Sequence, residues 1–331
     1  MIAGDAVESV LQCPYCKGTA FSSSEAAIAC NQCGSEFPKR CGIVNTLIRP
    51  SADVLQEIRG GMKEADTVGA PIESYIFRHT PRIETLAERK ARTKDDGYYS
   101  MTELNFEKAC EHLSLRGTES ILEVGGNFEF PFMRTFAQRG CRCYETNIFF
   151  YYDEASERDG SINRIAGDMM ALPYRDDAFD VVLFSAALHH APDLDIAVSE
   201  ISRVLKRGGT ALILTEPSSA LLKRMLNYFD KKSGVIGRDE DVHEGEYAAS
   251  KYKKLFHKHG FSVIETFFSP FYDERLKTAN VGRVRFAPVA RVVAAAWKVA
   301  PLRRALIRYG LPVGQALLGL QLNLVLKKNS V

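Results

Sequence analysis

The sequence predicts an α/β fold with a doubly wound parallel sheet, a small N-terminal zinc ribbon and a helical C-terminal addition. Three observations predict this arrangement. Short apolar runs alternate with helical patterns between about residues 118 and 216. Two closely spaced cysteine pairs lie within the first fifty residues, and 11 basic but no acidic side chains lie between Arg275 and Val331.

The composition is that of a globular protein with a substantial core. Of 331 residues, 46% are hydrophobic and 25% charged, which excludes a disordered, collagenous or disulfide-scaffold chain. The formal net charge is +2, but the residues before Arg275 carry 32 basic against 41 acidic side chains. Such asymmetry predicts that the C-terminal segment meets an anionic partner.

The amino terminus has neither the basic region nor the apolar stretch of a signal peptide. Eight cysteines in such a chain favour reduced thiols or metal binding over disulfides. The longest uncharged run, residues 309–326, contains Pro312 and three glycines, which argues against a membrane span. We therefore expect a cytoplasmic protein.

Four cysteines predict a structural zinc site. Cys13 and Cys16 form one Cys-x-x-Cys pair, and Cys30 and Cys33 form the second. Two such pairs on tight turns can place four thiolates around one zinc ion and leave no open coordination position. The zinc should therefore fold the segment rather than catalyse a reaction. We interpret Cys41 as a spare thiol.

Five short runs predict the strands of the central sheet, and the run at 179–185 is the clearest because it is continuously apolar and rich in β-branched residues. Apolar residues at helical spacing, with Gly or Pro at the ends of the segment, predict the helices between these strands. A Lys-Arg-Gly-Gly turn should end the last of these helices. The predicted strands are 120–124, 142–146, 163–168, 179–185 and 210–215. The predicted helices are 102–115, 131–140 and 193–205.

The order of three motifs resembles the class I S-adenosylmethionine-dependent methyltransferases of the small-molecule type. These motifs are ILEVGG, AGDMMALPYRDDAFDVVLFSAALHHAPD and EISRVLKRGGTALILTEP. The resemblance implies a Rossmann-like methyltransferase sheet. The stretch FPKRCGIVNTL further resembles the end of zinc-ribbon modules that precede certain methyltransferases, although the usual proline is missing at Val44-Asn45.

The resemblance implies a cofactor site at the carboxyl ends of the strands. Glu123 should lie near the ammonium group of the cofactor, beside a loop of Gly125, Gly126 and Asn127. Asn147 occupies the position of the usual ribose-binding acid, and Glu145 is the alternative if the register differs by two residues. The remaining implied contacts are Asp168 with the adenine amino group, Met169 with the adenine ring, and Ser185 and Ala186 at the reactive end.

Two residues depart from the glycine loop of that family. Asn127 and Glu129 stand where glycines are usual. Asn adopts left-handed conformations more easily than most residues, whereas a carboxylate at Glu129 would repel the carboxylate of the cofactor if it pointed inward. An altered cofactor or an inactive, methyltransferase-like scaffold is therefore the alternative to methyl transfer.

Two adjacent histidines are the candidate catalytic residues. His189 and His190 follow the strand at 179–185, and an imidazole can remove a proton from a hydroxyl acceptor near pH 7. The alternative is that one caps the next turn and the other packs against the sheet. We prefer His190. His243 lies on a predicted lid loop, where a solvated side chain is the simpler interpretation.

The segment from Arg283 to Tyr309 predicts two short basic amphipathic helices. Such helices suit a membrane surface or a lipid-linked substrate, or they cover the sheet edge. We expect methyl transfer to a small-molecule, sugar or lipid-linked acceptor, with rRNA or tRNA as the alternative. RNA is disfavoured because the residues before Arg275 are net acidic.

The predicted units are a zinc ribbon (1–48), a linker with helical cap (49–117), the core (118–274), and basic helices with the final strand (275–331).

Overall fold

The computed structural model describes residues 7–64, 69–80, 82–93, 98–126, 132–153, 160–218, 245, 247–271, 295–296, 298–306 and 321–330. The strands are β1 (Phe21–Ser23), β2 (Ala27–Cys30), β3 (Glu36–Arg40), β4 (Ile43–Asn45), β5 (Phe77–His79), β6 (Ser120–Val124), β7 (Arg142–Asn147), β8 (Phe150–Tyr152), β9 (Ile162–Ala166), β10 (Phe179–Ser185), β11 (Leu205–Glu216), β12 (Phe261–Thr266) and β13 (Leu322–Lys328). The helices are α1 (Ala52–Glu64), α2 (Ile72–Ile76), α3 (Leu86–Thr93), α4 (Tyr98–Cys110), α5 (Phe132–Ala137), α6 (Leu194–Val204), α7 (Ala249–Lys258) and α8 (Ala300–Ala305). A short 3-10 turn spans Leu188–His190.

One sheet of eleven strands runs through the molecule in the order β1-β2-β3-β4-β9-β7-β6-β10-β11-β13-β12. From β4 to β11 the neighbouring strands are parallel, and β13 runs antiparallel to both of its neighbours. The chain order reverses between β6 and β10, so a crevice opens at the carboxyl ends of these strands. The predicted doubly wound α/β sheet is confirmed.

The cysteine-containing segment is joined to the central sheet. Strand β4 pairs in parallel with β9, and its residue Val44 lies opposite Ile165. Leu11, Ile28 and Phe37 belong to the same buried cluster as residues of the central strands. The first fifty residues therefore extend the central sheet and share its hydrophobic core.

Helix α1, which we call the cap helix, covers the crevice from the linker side. Val54, Ile58 and Met62 recur at helical spacing and are buried, so one face of the cap helix packs inward. They share a cluster with Tyr75 and Phe150. This cluster fixes the cap helix beside the loop that follows β7.

The boundaries of several elements differ from the sequence-based expectation, most of all those of helix α4 and strand β11. Strand β10 matches it residue for residue. Helix α4 begins four residues before the predicted start and ends at Cys110, with turns following it. Strand β11 begins at Leu205, because the predicted Lys-Arg-Gly-Gly turn is a bulge within the strand: the register shifts between the pairs Phe179–Leu205 and Val181–Thr210.

Most of the predicted basic helices lie outside the described residues. In the part of the segment that the structure describes, helix α8 buries none of its residues. Val299 and Leu302 are 48% and 50% exposed. A search of the described helices for one long and apolar enough to cross a membrane gave no match.

Candidate functional site

A cavity of about 230 Å³ opens where β6, β7, β9 and β10 end. This is the crevice that the reversal of strand order produces. Eight of the residues implied by the family resemblance or proposed for catalysis line it: Glu123, Gly125, Asn147, Asp168, Met169, Ser185, Ala186 and His190. Asn127, like Glu129 and His243, lies outside the described residues.

Glu123 places an unpaired carboxylate oxygen in the wall of the cavity. The residue is 2% exposed, and its Oε2 has no hydrogen-bond partner among the described residues. Burial, together with the nearby Glu145 carboxylate, raises the pKa of Glu123 well above its usual value. A cationic group that entered the cavity would compensate this buried carboxylate.

The loop after β6 requires its two glycines. Gly125 has φ +72°, and a Cβ there would lie 2.3 Å from the Cβ of Ala187. A Cβ on Gly126 would lie 2.8 Å from the carboxyl carbon of Glu123. Both side-chain positions are thus filled by neighbouring residues, and only glycine lets the loop come this close.

Asn147 uses both ends of its amide within the protein. Its Nδ2 donates to the carbonyl of Gly126 at 2.8 Å, and its Oδ1 accepts from the N–H of Ile148 at 2.7 Å. The side chain therefore joins the end of β7 to the glycine loop. Glu145, the alternative ribose ligand, lies 3.1 Å from Arg164 and is not among the residues that line the cavity.

Asp168 lines the cavity at the end of β9, and its Oδ1 accepts a hydrogen bond from the N–H of Met170 at 2.8 Å. Burial raises the pKa of Asp168, and the negative charges of Asp53 and Glu200 add to this effect. Asp53 belongs to the cap helix and lines the same cavity. The rim thus has several acidic side chains.

The two candidate histidines have different surroundings. Nδ1 of His189 lies 3.0 Å from the fully buried carboxylate of Glu216, and His189 is not among the residues that line the cavity. The same carboxylate accepts from the backbone N–H groups of residues 187, 188 and 189. His190 does line the cavity, and its Nδ1 lies 3.2 Å from Oε1 of Glu57 in the cap helix.

Several residues of the site were not predicted from the sequence. Glu216 carried a recognisable signal, since it is an acid at the end of a strand in the matching sheet. The residues of the linker carried no such signal, because a charged connecting segment does not show from its sequence that a helix within it covers a cavity. The unpredicted residues include Asp53, Val54, Glu57, Tyr98, Ile148, Phe149, Met170, Pro192 and Glu216.

The four cysteine sulfurs form a second candidate site. Cys13, Cys16, Cys30 and Cys33 bring their Sγ atoms within 4.8 Å of one another. Two of the sulfur–sulfur distances are 3.7 Å (Cys13–Cys33) and 3.6 Å (Cys16–Cys30). A tetrahedron with metal–sulfur bonds of about 2.3 Å has edges of about 3.8 Å, so the cluster has the dimensions of a four-thiolate metal site. Cys41 is not part of this cluster.

The two cysteine pairs lie on matching turns. Lys17 and Gly34, each directly after the second cysteine of its pair, have φ +62° and +72°. In the first turn the left-handed residue is therefore Lys17 and not the glycine that follows it, Gly18. The Cys33 thiol donates a hydrogen bond to the Ser35 hydroxyl oxygen at 3.2 Å. Hydrogen bonding with the side chain and the backbone of Ser35 lowers the pKa of Cys33 to about 6. Burial raises the pKa of Cys13 to about 12.

Comparison with known proteins supports a methyltransferase. A family model described as "Methyltransferase domain" matches residues 122–213. Demethylmenaquinone methyltransferase of Staphylococcus haemolyticus is 29% identical over 136 residues, which are 37% of this chain and 57% of that protein. Sterol 24-C-methyltransferase of Pneumocystis carinii is 31% identical over 105 residues, which are 30% of this chain and 28% of that protein.

Among solved structures, the YcgJ protein from Bacillus subtilis has a TM-score of 0.42 and 19% identity, and the comparison covers 71% of this chain and 100% of that one. The chain spans about half the length of the first curated relatives it matches. The family match, the strand order and the glycine loop agree with one another. Residues 122–213 of this chain therefore form a methyltransferase domain.

Proposed function

We propose that this protein transfers a methyl group from S-adenosylmethionine to a small-molecule acceptor. The observation that carries the proposal is the cavity at the carboxyl ends of the strands, whose wall holds unpaired polar atoms. Oε2 of Glu123 and Oγ of Ser185 are buried there without a hydrogen-bond partner among the described residues. A polar ligand that fills the cavity would give both atoms a partner.

The residues present fit this cofactor. The Glu123 carboxylate suits an ammonium group, and the loop at Gly125 and Gly126, which has no room for a side chain, would let a ligand approach the backbone closely. Asp168 and Met169 would hold the adenine. Asn147 holds the glycine loop through its bond to the Gly126 carbonyl. These bonds use one N–H and one oxygen lone pair of the Asn147 amide, so its second N–H and second lone pair would serve the ribose hydroxyls.

The protein contributes positioning, water exclusion and proton transfer. S-adenosylmethionine, when bound, supplies a methyl group on a sulfonium whose thioether is an excellent leaving group. The cap helix closes the cavity with Val54, and the loop after β7 adds Ile148 and Phe149. These side chains exclude water and hold an acceptor in line, which supplies much of the catalysis in such a reaction. His190 is the side chain we assign to proton removal.

We propose that the four-cysteine cluster holds a structural Zn²⁺. Four sulfur ligands would leave no open coordination position, so the ion would stabilise the fold without entering the reaction. Metal analysis of unchelated protein should give about one zinc per chain. A Cys16→Ser/Cys30→Ser variant that keeps its full zinc content would contradict the assignment.

The acceptor class that we favour is an apolar small molecule, lipid-linked ones included. The relatives named above are quinone and sterol methyltransferases. The cavity wall contains the apolar side chains Val54, Phe149 and Met170, which suit a ring or an isoprenoid-like group. The exposed Val299, which directly precedes α8, and the exposed Leu302 within it lie near Arg303 and Arg304 in the chain. These residues support a contact with an anionic membrane surface.

Two experiments test these proposals. Zinc-loaded protein is incubated with methyl-labelled S-adenosylmethionine and a panel of quinols, sterols, sugars and tRNA, with Gly125→Ala as the inactive control. Label in an apolar acceptor supports the proposal, whereas label only in RNA contradicts the acceptor class. Sedimentation with vesicles containing anionic phospholipid should be salt-sensitive and weakened in an Arg303→Gln/Arg304→Gln variant; equal binding by both proteins would contradict the membrane contact.

A further inference from the structure

A second cavity lies at the opposite end of the sheet from the first one. It has a volume of about 500 Å³ and opens where β6 and β10 begin. None of the residues that line it also lines the first cavity. Val181 borders the second cavity and Ser185 borders the first, and these two positions are roughly 13 Å apart along β10. The two cavities are therefore separate sites.

Basic side chains predominate in the wall of this second cavity, which we call the basic cavity. The end of α4 with the turn after it, the bulge of β11 and the end of β13 each contribute to the wall. Its basic residues are His112, Arg116, Lys206, Arg207 and Lys327, and its acidic residues are Glu119 and Asp180.

The carboxylate of Glu119 is satisfied by the protein itself. It accepts hydrogen bonds from the backbone N–H groups of residues 116, 117 and 118 at 2.9, 2.9 and 3.1 Å. These bonds lower the pKa of Glu119 because they stabilise its ionised form. Glu119 thus holds the turn between α4 and β6, and its charge is already compensated by backbone donors.

Two of the basic side chains are paired with carboxylates. Both carboxylate oxygens of Asp180 lie 2.9 Å from Nζ of Lys206, and Oδ2 also accepts from the N–H of Ser120. His112 is bonded through Nε2 to Oε2 of Glu265. Lys206 and His112 are therefore engaged within the protein.

The other three basic side chains have no carboxylate partner among the described residues. These are Arg116, Arg207 and Lys327, and all three are exposed side chains in the wall of the basic cavity. A guanidinium group can bind phosphate oxygens in a bidentate manner, and an ammonium group adds a point charge. The basic cavity thus has three uncompensated positive charges that converge on one space.

The bulge of β11 brings Arg207 into this wall. Residues 206–209 have no partner in the ladder between β10 and β11, and Gly208 within them has φ +70°, a conformation that favours glycine. Ser114 and Thr118 line the same cavity, and their hydroxyl groups can donate to an anion. Charged and neutral donors therefore face the cavity from different elements of the fold.

We propose that the basic cavity binds a small anion that carries two phosphate groups, such as a diphosphate or a bisphosphate. Three uncompensated cations match the charge of such a ligand better than that of a monoanion. A nucleic-acid backbone has the same chemical groups, but the net acidic character of the residues before Arg275 disfavours a long polyanion. The proposal does not depend on methyl transfer, because the two cavities share no lining residue.

Pyrophosphate is the probe, titrated by calorimetry into zinc-loaded protein at low ionic strength, with and without S-adenosylhomocysteine. The zinc content is measured again afterwards, since pyrophosphate is itself a metal ligand. We expect one site per chain with a Kd at or below roughly 1 mM, and the same affinity under both conditions. No detectable binding of pyrophosphate would overturn the proposal. Competition between the two ligands would also overturn it, because pyrophosphate would then occupy the first cavity.

Arg116→Gln/Arg207→Gln tests where the anion binds. It removes two positive charges from the basic cavity, whereas the control Arg59→Gln/Lys254→Gln removes two from exposed side chains that line neither cavity. The first variant should bind pyrophosphate about tenfold or more weakly because it loses two charged donors, and the control should bind like the wild type. Wild-type affinity in the first variant would overturn the site. Equal weakening in both variants would do the same, since net charge alone would then explain the binding.

Lys327→Gln gives an independent check if thermal melting shows that the double variant is destabilised. It should also weaken pyrophosphate binding, and unchanged affinity in this variant would overturn the proposal. A short single-stranded RNA is the last probe. RNA that binds more tightly than pyrophosphate, and whose binding is lost in Arg116→Gln/Arg207→Gln, would overturn the assignment to a small anion.

Discussion

The phenolic hydroxyl of Tyr15 donates a hydrogen bond to the carbonyl oxygen of Thr46 at 2.8 Å. The same hydroxyl accepts a hydrogen bond from the N–H of Arg49 at 2.9 Å. Tyr15 lies between Cys13 and Cys16 of the four-cysteine cluster, and Thr46 donates to the carbonyl of Ala166 beside the cavity. The first cysteine turn is therefore bonded to the segment that leads into the cap helix.

Because of this connection, removal of the metal should weaken cofactor binding as well as stability. Chelation leaves four neighbouring thiols without the ion that holds them together, and the turn around Tyr15 loses its support. We expect a lower melting temperature and an affinity for S-adenosylhomocysteine reduced by about tenfold, measured by calorimetry before and after zinc is restored. Tyr15→Phe should weaken the same affinity with the zinc content unchanged. Full affinity in the metal-free protein would contradict the connection.

Gly125→Ala should abolish cofactor binding, and Gly260→Ala is its matched control. Both glycines have positive φ, +72° and +84°, so alanine strains the backbone by about 1 kcal/mol at either position. Only at Gly125 would the added Cβ also collide, 2.3 Å from the Cβ of Ala187. Calorimetry and thermal melting should therefore separate the two variants, with Gly260→Ala binding like the wild type. Equal losses in both would show that backbone strain alone explains the effect.

Glu123→Gln should make the ligand-free protein less sensitive to pH. The pKa of Glu123 is raised in the folded state, so the folded protein holds a proton that the unfolded chain releases above its ordinary carboxyl pKa. The free energy of unfolding therefore falls as the pH rises from that ordinary value towards the raised one. In Glu123→Gln the free energy of unfolding should not fall over this pH range.

The same variant should bind S-adenosylmethionine about 10- to 100-fold more weakly, since it loses a charged hydrogen-bond acceptor. Urea unfolding at several pH values and calorimetry check both effects. Parallel stability profiles for the two proteins would contradict the assigned titration of Glu123.

Glu216→Gln should destabilise the fold by about 2–4 kcal/mol. The buried carboxylate accepts three backbone N–H groups and lies beside Nδ1 of His189, and an amide replaces one acceptor oxygen by a donor. Glu111→Gln is the control, because Glu111 is 63% exposed in its pair with Lys108. Urea unfolding should show a change below about 1 kcal/mol for that variant. A similarly small change at Glu216 would contradict its role in holding the turn that bears His190.

The central sheet and the cysteine cluster could both be predicted from the sequence. Strand 179–185 could be predicted because a buried parallel strand must be apolar on both faces, and its bounds match the structure. The cysteine spacing predicted the cluster because two Cys-x-x-Cys turns can converge on one point. Both patterns involve residues close together in the chain, so they can be recognised without knowledge of the tertiary fold.

The parts that could not be predicted depend on contacts between distant segments. Glu57 lies in a charged linker without any motif, and only the packing of the cap helix brings it to His190. The position of Asn147 was predicted from the motif order, but its bond to the Gly126 carbonyl depends on the path of the glycine loop. The pairing of β4 with β9 likewise joins residues far apart in the chain.

The most direct test is a calorimetric titration of S-adenosylmethionine and S-adenosylhomocysteine into zinc-loaded protein. We expect micromolar binding of both ligands in the wild type and a large loss in Gly125→Ala and Glu123→Gln. Such a result would establish that the cavity at the ends of β6 and β10 is the cofactor site. No detectable heat and no thermal stabilisation with either ligand would contradict methyl transfer and favour a methyltransferase-like scaffold.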